Sequence, residues 1–194
     1  MTLNYFIELF FILLFGCSCN SVKQDFGKGE KQFGLHIDKG PRQGFQYFDS
    51  SKTEYNYRYY TIEITSDTIV PILLKINFDT TDILVNDSIK SKIFLLPRHL
   101  TLDKQQFDQT MSKELIKFLD VEIDNPQNLI KTLKQGEKCV FTFGVLTDIK
   151  YFDPTTPYST EILTSNENLS VIAMKLKIND RLIIPCGQFS YINN

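Results

Sequence analysis

Residues 60–78 read YTIEITSDTIVPILLKINF and contain two segments in which the side chains alternate between two faces. The first segment has an aromatic or aliphatic residue at every second position, and the second, residues 70–78, has an apolar face of its own. Because successive side chains of a strand point to opposite sides, this pattern predicts two half-buried β-strands. The intervening Ser66 and Asp67 favour a turn, so we expect the two strands to pair as a hairpin.

The rest of the chain adds five strands and one helix to this prediction. The strands are expected at residues 91–96, 128–133, 139–146, 170–177 and 181–186. The helix is expected at residues 112–119, where apolar residues recur every three or four positions after Ser112, a good N-cap residue. Strands and helices do not alternate regularly, so the predicted fold class is mainly β, an antiparallel β-sandwich with one short helix.

The order of strands and turns in residues 60–68 and 133–138 resembles that of immunoglobulin-like domains in exported bacterial proteins. The resemblance covers about a third of the chain and implies an immunoglobulin-like sandwich. It implies no particular activity, because one fold supports many functions.

An apolar segment, residues 5–15, ends at Gly16 and Cys17. A helix that spans a bilayer needs about 20 apolar residues, so this shorter segment fits the core of an export signal instead. Residues 14–17, Leu-Phe-Gly-Cys, resemble the lipobox of bacterial lipoproteins. That resemblance implies a signal peptide over residues 1–16, acylation of Cys17, and a lipid anchor that holds the protein to a membrane of the bacterial cell envelope, on its periplasmic or surface side.

Two features depart from the lipoprotein pattern. Residues 1–4 contain no Lys or Arg, and Glu8 interrupts the apolar segment. A simple secretory signal and an uncleaved apolar N-terminus are therefore alternatives. After Cys17 the chain is rich in glycine and polar residues up to Gly44, which predicts a flexible tether over residues 17–44 and a folded domain over residues 45–194.

Composition and motifs exclude several classes of function. The 194 residues include 21 Lys and Arg and 23 Asp and Glu, a net charge of -2, so a nucleic-acid partner is not expected. The sequence contains no nucleophile elbow, zinc-binding helix, phosphate loop or Cys-x-x-Cys pair. We therefore expect no catalytic residues, no metal site and no cofactor.

Two cysteines fall within predicted strands. Cys139 shares a strand face with Phe141 and Phe143, and Cys186 shares one with Leu182 and Ile184, so both thiols are expected in the core. Two alternatives stay open at this point. The cysteines form a disulfide in an oxidising compartment, or they remain buried free thiols.

Aromatic residues mark two candidate binding surfaces. Tyr55, Tyr57 and Tyr59 share one strand face and suggest a platform for a glycan or a protein, although aromatic packing within the sandwich is the alternative. The second candidate is the long loop at residues 148–160, because long loops often carry binding residues. Its aromatic members are Tyr151, Phe152 and Tyr158.

These observations favour a lipid-anchored envelope protein that acts as a non-enzymatic binding or assembly module, with an envelope protein or a glycan as partner. The alternative is an envelope hydrolase that acts on glycan or peptide. Such an enzyme would use carboxylates such as Glu63, Glu122 or Asp124, and two of them would have to meet in a cleft about 5 to 10 Å apart.

Overall fold

A computed structural model describes residues 27–78, 82–84, 90–100, 111–125, 127–151, 159–166, 170–178 and 182–192. Within these ranges the strands are β1 (Gly27–Gln32), β2 (Leu35–Phe48), β3 (Glu54–Ser66), β4 (Ile72–Asn77), β5 (Asp82–Leu84), β6 (Lys90–Leu95), β7 (Asn128–Leu133), β8 (Lys138–Asp148), β9 (Thr160–Asn166), β10 (Val171–Ile178) and β11 (Leu182–Tyr191). A short helix, α1 (Lys113–Lys117), continues into a single π-helical turn at Phe118–Glu122. Two 3-10 turns lie at Arg98–Leu100 and Ile149–Tyr151.

The strands form two antiparallel sheets. Sheet A has the order β1-β2-β3-β8-β6-β5, and sheet B has the order β7-β4-β11-β10-β9. All the strand pairs within the sheets are antiparallel. The predicted fold class, a mainly β sandwich with one short helix, is confirmed.

The main core lies between the two sheets. It contains the apolar faces that the alternation predicts, including Ile62 and Ile64 from β3 and Leu74 and Ile76 from β4. All four side chains are almost completely buried. Burial of a side chain of this size contributes about 1.5 to 3 kcal/mol, so this layer supplies much of the stability of the fold.

A second apolar layer covers the outer face of sheet A. Leu115 of α1 and Phe118 and Leu119 of the π-helical turn pack against aromatic residues of β2, β3 and β6. The predicted helix and its N-cap are confirmed, because the Leu115 backbone N–H donates to Ser112 Oγ at 3.1 Å. Sheet A is therefore buried on both faces over much of its length.

The predicted hairpin of residues 60–78 is wrong. β3 pairs with β2 on one side and with β8 on the other, so it has no free edge for β4. Residues 67–71 instead carry the chain from sheet A to sheet B. The Asp67 N–H donates to the Gly34 carbonyl at 2.8 Å and fixes the start of this crossing.

The predicted boundary between tether and domain, at residue 45, is too late in the chain. Residues 27–48 form β1 and all of β2, joined by a two-residue turn in which Phe33 and Gly34 have φ values of 49° and 73°. A bulge between Lys39 and Arg42 shifts the register of β2 against β3, so odd-numbered residues face the main core before it and the outer layer after it. This shift hides the alternation that would otherwise indicate a strand.

Candidate functional site

A cavity of about 350 Å³ opens at one end of the outer face of sheet A, and we call it the Tyr/Asp cavity. It is lined by Tyr47, Asp49, Ser50, Tyr55, Ser91, Lys92, Leu119, Asp120, Ile123, Leu146 and Asp148. The apolar members form part of the layer beneath the helical segment. The polar members bring carboxyl, phenol and ammonium groups to one opening.

The sheet register explains why residues so far apart in sequence meet here. Tyr47 at the end of β2 pairs with Tyr55 at the start of β3, and Tyr55 pairs in turn with Asp148 at the end of β8. On the far side of β8, Lys92 of β6 pairs with Leu146. The π-helical turn then adds Asp120 from above the sheet.

The Tyr47 hydroxyl donates a hydrogen bond to Asp120 Oδ1. Tyr47 is almost fully buried, and its pKa is raised well above the ordinary value, first by burial and then by the neighbouring Asp120 carboxyl group. The phenol therefore keeps its proton and remains a donor. This contact joins β2 to the helical segment and fixes one wall of the cavity.

Asp49 organises the turn between β2 and β3. Its Oδ1 accepts hydrogen bonds from Ser51 Oγ at 2.7 Å, from the Ser51 N–H at 2.9 Å and from the Thr53 N–H at 2.8 Å. The hydrogen bond from the Ser51 hydroxyl is the largest cause of a lowered Asp49 pKa, and the backbone donors add to it. The carboxylate is consequently charged at neutral pH and holds the rim of the cavity in place.

The remaining polar groups give the cavity an acidic character. The pKa of Tyr55 is raised by burial first and then by the charges of Asp49 and Asp148. Lys92 Nζ lies 2.5 Å from Asp124 Oδ1, so its charge is balanced by a carboxylate that does not line the cavity. Three carboxyl groups beside tyrosine rings suit a cationic group or a donor-rich ligand.

Tyr55 is the only one of the three predicted platform tyrosines that lines this cavity. Tyr57 and Tyr59 are 0% and 6% exposed. The Tyr57 ring stacks on Phe94 and Phe45, with centroids 6.1 and 6.5 Å apart. Both buried tyrosines belong to the aromatic layer under the helical segment, so aromatic packing, the alternative to an exposed platform, describes Tyr57 and Tyr59.

The other predicted binding residues lie at or beyond the limit of the described ranges. Tyr151 ends the 3-10 turn that follows β8, whereas Phe152 and Tyr158 lie outside the described residues. Cys17, the predicted acylated residue, also lies outside them. In the part of the chain that is described, no helix has the length and hydrophobicity needed to cross a bilayer.

The two core cysteines come from opposite sheets. Cys139 lies in β8 of sheet A and Cys186 in β11 of sheet B, and both belong to the core between the sheets. Both are buried free thiols, which is the second of the two alternatives that the sequence leaves open. Burial raises the pKa of both thiols, that of Cys186 to about 12, so neither is an activated nucleophile.

The three carboxylates considered for a hydrolase each lie beside a lysine. Lys138 is 2.5 Å from Glu63, Lys92 is 2.5 Å from Asp124, and Lys117 is 4.0 Å from Glu122. Within the described ranges, no three His, Cys, Asp or Glu side chains are grouped closely enough to hold a metal ion. Sequence reasoning missed the carboxyl groups that do share a cavity, Asp49, Asp120 and Asp148, because they come from three separate elements.

Comparisons with protein-family models, with curated proteins and with solved structures found no match to this chain.

Proposed function

We propose that the protein is a lipid-anchored module of the bacterial cell envelope that binds a cationic group of an envelope partner in the Tyr/Asp cavity. The observation that carries the proposal is the convergence of Asp49, Asp120 and Asp148 with Tyr47 and Tyr55 around one opening. The anchor rests on the lipobox resemblance of residues 14–17. The immunoglobulin-like character of the sandwich is part of the same proposal.

Carboxylates and aromatic rings together favour a lysine or arginine side chain. Carboxylates accept charge-assisted hydrogen bonds from ammonium and guanidinium groups, and the face of a tyrosine ring attracts a cation. Asp49 and Tyr47 are held by hydrogen bonds within the protein, so little ordering of these residues is needed on binding. An exposed basic residue of an envelope protein would satisfy this chemistry, and so would the amino group of an amino sugar.

Binding of a basic peptide tests the cavity. We expect a short arginine- and lysine-containing peptide to bind, and its affinity to fall about tenfold when Asp49→Asn and Asp148→Asn are combined, a loss of about 1.4 kcal/mol. The control combines Glu137→Gln with Glu161→Gln, which changes the charge equally away from the cavity. Equal affinities for both double variants and the unmodified chain would refute the assignment of the site.

The same assay distinguishes a protein partner from a glycan. An oligosaccharide of free amino sugars is compared with its N-acetylated form, which lacks the positive charge. Preference for the basic peptide supports a protein partner, whereas tighter binding of the amino-sugar oligosaccharide transfers the proposal to a glycan. Calorimetry or fluorescence titration measures the affinities for the peptide and for the oligosaccharide. The titrations are done at low and at physiological salt, because the attraction between exposed charges weakens with ionic strength.

A hydrolase remains the second candidate because three carboxyl groups line one cavity of the size that ligands occupy. Incubation of the chain with envelope glycan and peptide fragments, followed by mass spectrometry, separates the two functions. Intact fragments agree with binding alone. Cleavage that is lost in Asp120→Asn or Asp148→Asn would replace the binding proposal with the enzyme.

The lipid anchor has its own test. Mass spectrometry of the protein from its native host should give a mature N-terminus at Cys17 that carries acyl chains. A mature N-terminus elsewhere would remove the envelope anchor while leaving the chemistry of the cavity unaffected.

A further inference from the structure

A second open groove, of about 450 Å³, crosses the outer face of sheet B. We infer that this groove, which we call the lysine groove, binds a carboxylate-bearing saccharide. The residues that carry the inference are Lys75, Asn77, Asn128, Ala173, Lys175 and Gln188. The site is separate from the Tyr/Asp cavity, which lies on sheet A, and it carries the opposite charge.

An irregularity in β11 creates the depression. The register of β10 against β11 shifts between Met174 and Lys175, opposite Gly187. Gly187 has a φ of 146°, and a Cβ atom there would lie 2.2 Å from the Lys75 carbonyl oxygen, so only glycine fits. Ala173, which pairs with Gln188, is 7% exposed, so a small side chain forms the floor of the groove.

Two rows of polar side chains border this floor. In one row Lys75 of β4 pairs with Gln188 of β11, which pairs with Ala173 of β10. In the next row Asn77 pairs with Asn128, and Lys175 lies on the far side of β11. Neighbouring strands are about 4.8 Å apart, so the two lysine-bearing strands are separated by about 10 Å, a distance that their long side chains can bridge.

Among the described residues, no carboxylate compensates the charge of the two lysines in the groove. Lys75 and Lys175 are exposed, and neither has a carboxylate partner within the described part of the chain, whereas the nearby Lys177 lies 3.9 Å from Glu161. Two ammonium groups therefore face solvent in one depression, and none of its described lining residues is acidic. A ligand with a carboxylate would supply the missing charge.

The other lining groups favour a saccharide over a peptide. Asn77, Asn128 and Gln188 provide carboxamides that both donate and accept hydrogen bonds, which matches the dual character of sugar hydroxyl groups. A peptide that binds by strand addition needs a free strand edge, but this groove crosses β4, β11 and β10, which are paired with their neighbours in sheet B. Apolar contacts with Ile130 and Pro185 are available to the carbon faces of a sugar ring.

Titration of the full isotope-labelled chain with a glucuronate-containing tetrasaccharide tests the inference. We expect amide shifts at Ala173, Gln188 and their neighbours, and a loss of affinity of at least tenfold in the double variant Lys75→Gln and Lys175→Gln. The matched control combines Lys113→Gln with Lys134→Gln, two exposed lysines outside the groove. Gln188→Ala, which keeps the charge, should also weaken binding, and circular dichroism verifies that each variant is folded.

The comparison ligands are a neutral glucose tetrasaccharide, tetraglutamate and inorganic phosphate. Weaker binding of all three supports a carboxylated sugar. The inference is overturned if the glucuronate ligand causes no shifts at these residues, if the lysine double variant binds it as tightly as the control, or if any comparison ligand binds equally well. Asp49→Asn and Asp148→Asn should leave this binding unchanged, so failure of either site can be recognised separately.

Discussion

Removal of a hydroxyl group should have opposite effects on two tyrosines of the same aromatic layer. Tyr57 is fully buried, and its hydroxyl has no hydrogen-bond partner within the described residues. Tyr47 is also buried, but its hydroxyl donates to Asp120. The substitution to phenylalanine keeps the ring and its packing in both cases, so the difference between the variants reports the state of the hydroxyl group.

The expected changes in the free energy of unfolding follow from the cost of burying an unpaired polar group. A buried hydroxyl without a partner costs about 1 to 3 kcal/mol, so Tyr57→Phe should raise the free energy of unfolding by about 1 kcal/mol. A hydrogen bond to a charged group contributes about 1.5 to 3 kcal/mol. Because Asp120 is exposed and regains water, Tyr47→Phe should lower the free energy of unfolding by only about 1 kcal/mol.

Urea-induced unfolding, followed by circular dichroism at pH 7, measures both changes. The two variants should differ by about 2 kcal/mol, which corresponds to about 4 to 8 °C in melting temperature for a chain of this size. The stacking of the residue 57 ring on Phe94 should persist in Tyr57→Phe. If Tyr57→Phe destabilises the protein as much as Tyr47→Phe does, the Tyr57 hydroxyl has a hydrogen-bond partner in solution, contrary to the expectation.

Two further predictions concern the packing and the thiols. Gly144→Ala should destabilise the fold by about 1 to 3 kcal/mol, because the new Cβ would lie 2.5 Å from Phe94 Cζ and 2.8 Å from Tyr57 Cε2. Gly44→Ala is the control, and thermal unfolding should show a smaller effect for it because its Cβ would lie 3.3 Å from a flexible arginine side chain. The pKa of Cys186 is about 12 in the fold and ordinarily near 9, so the unfolded state loses its proton first and the free energy of unfolding should fall as pH rises from about 9 to 12. Urea titrations across that pH range should give a shallower fall of the unfolding free energy for Cys186→Ala than for the unmodified chain. Equal slopes for the two proteins would contradict a buried neutral thiol.

The parts of the fold that sequence predicts are those in which local pattern and tertiary environment agree. β7 spans residues 128–133 as predicted, and β8, β10 and β11 overlap their predicted ranges. Ser112 caps the helix because its side chain meets a backbone N–H within the same turn, a contact that depends on local sequence alone.

The errors in the predicted strands and strand pairing arise where contacts between residues distant in sequence determine the structure. The two-residue turn at Phe33 and Gly34 places an aromatic residue at positive φ, which local propensity disfavours, and the bulge in β2 interrupts its alternation. The sequence pattern does not predict β5 or β9, and within the described ranges each pairs with a single strand at the edge of its sheet. Pairing of β3 with β4 was wrong because a neighbour in sequence need not be a neighbour in the sheet.

The candidate site was the least accessible to sequence reasoning. Tyr55 was identified from its strand face, but Asp49, Asp120 and Asp148 lie on a turn, a π-helical turn and a strand end. No spacing rule links these positions. Only the register of β2, β3 and β8 and the docking of the helical segment bring them together.

If the proposed lipid anchor exists, the position of β1 limits the distance between the sandwich and the bilayer. If Cys17 holds the lipid, ten peptide units separate it from Gly27, where β1 begins. A fully extended chain covers at most about 3.6 Å per residue, so the segment between Cys17 and Gly27 spans no more than about 36 Å. A partner of the domain would then have to lie close to the membrane surface or extend down to it.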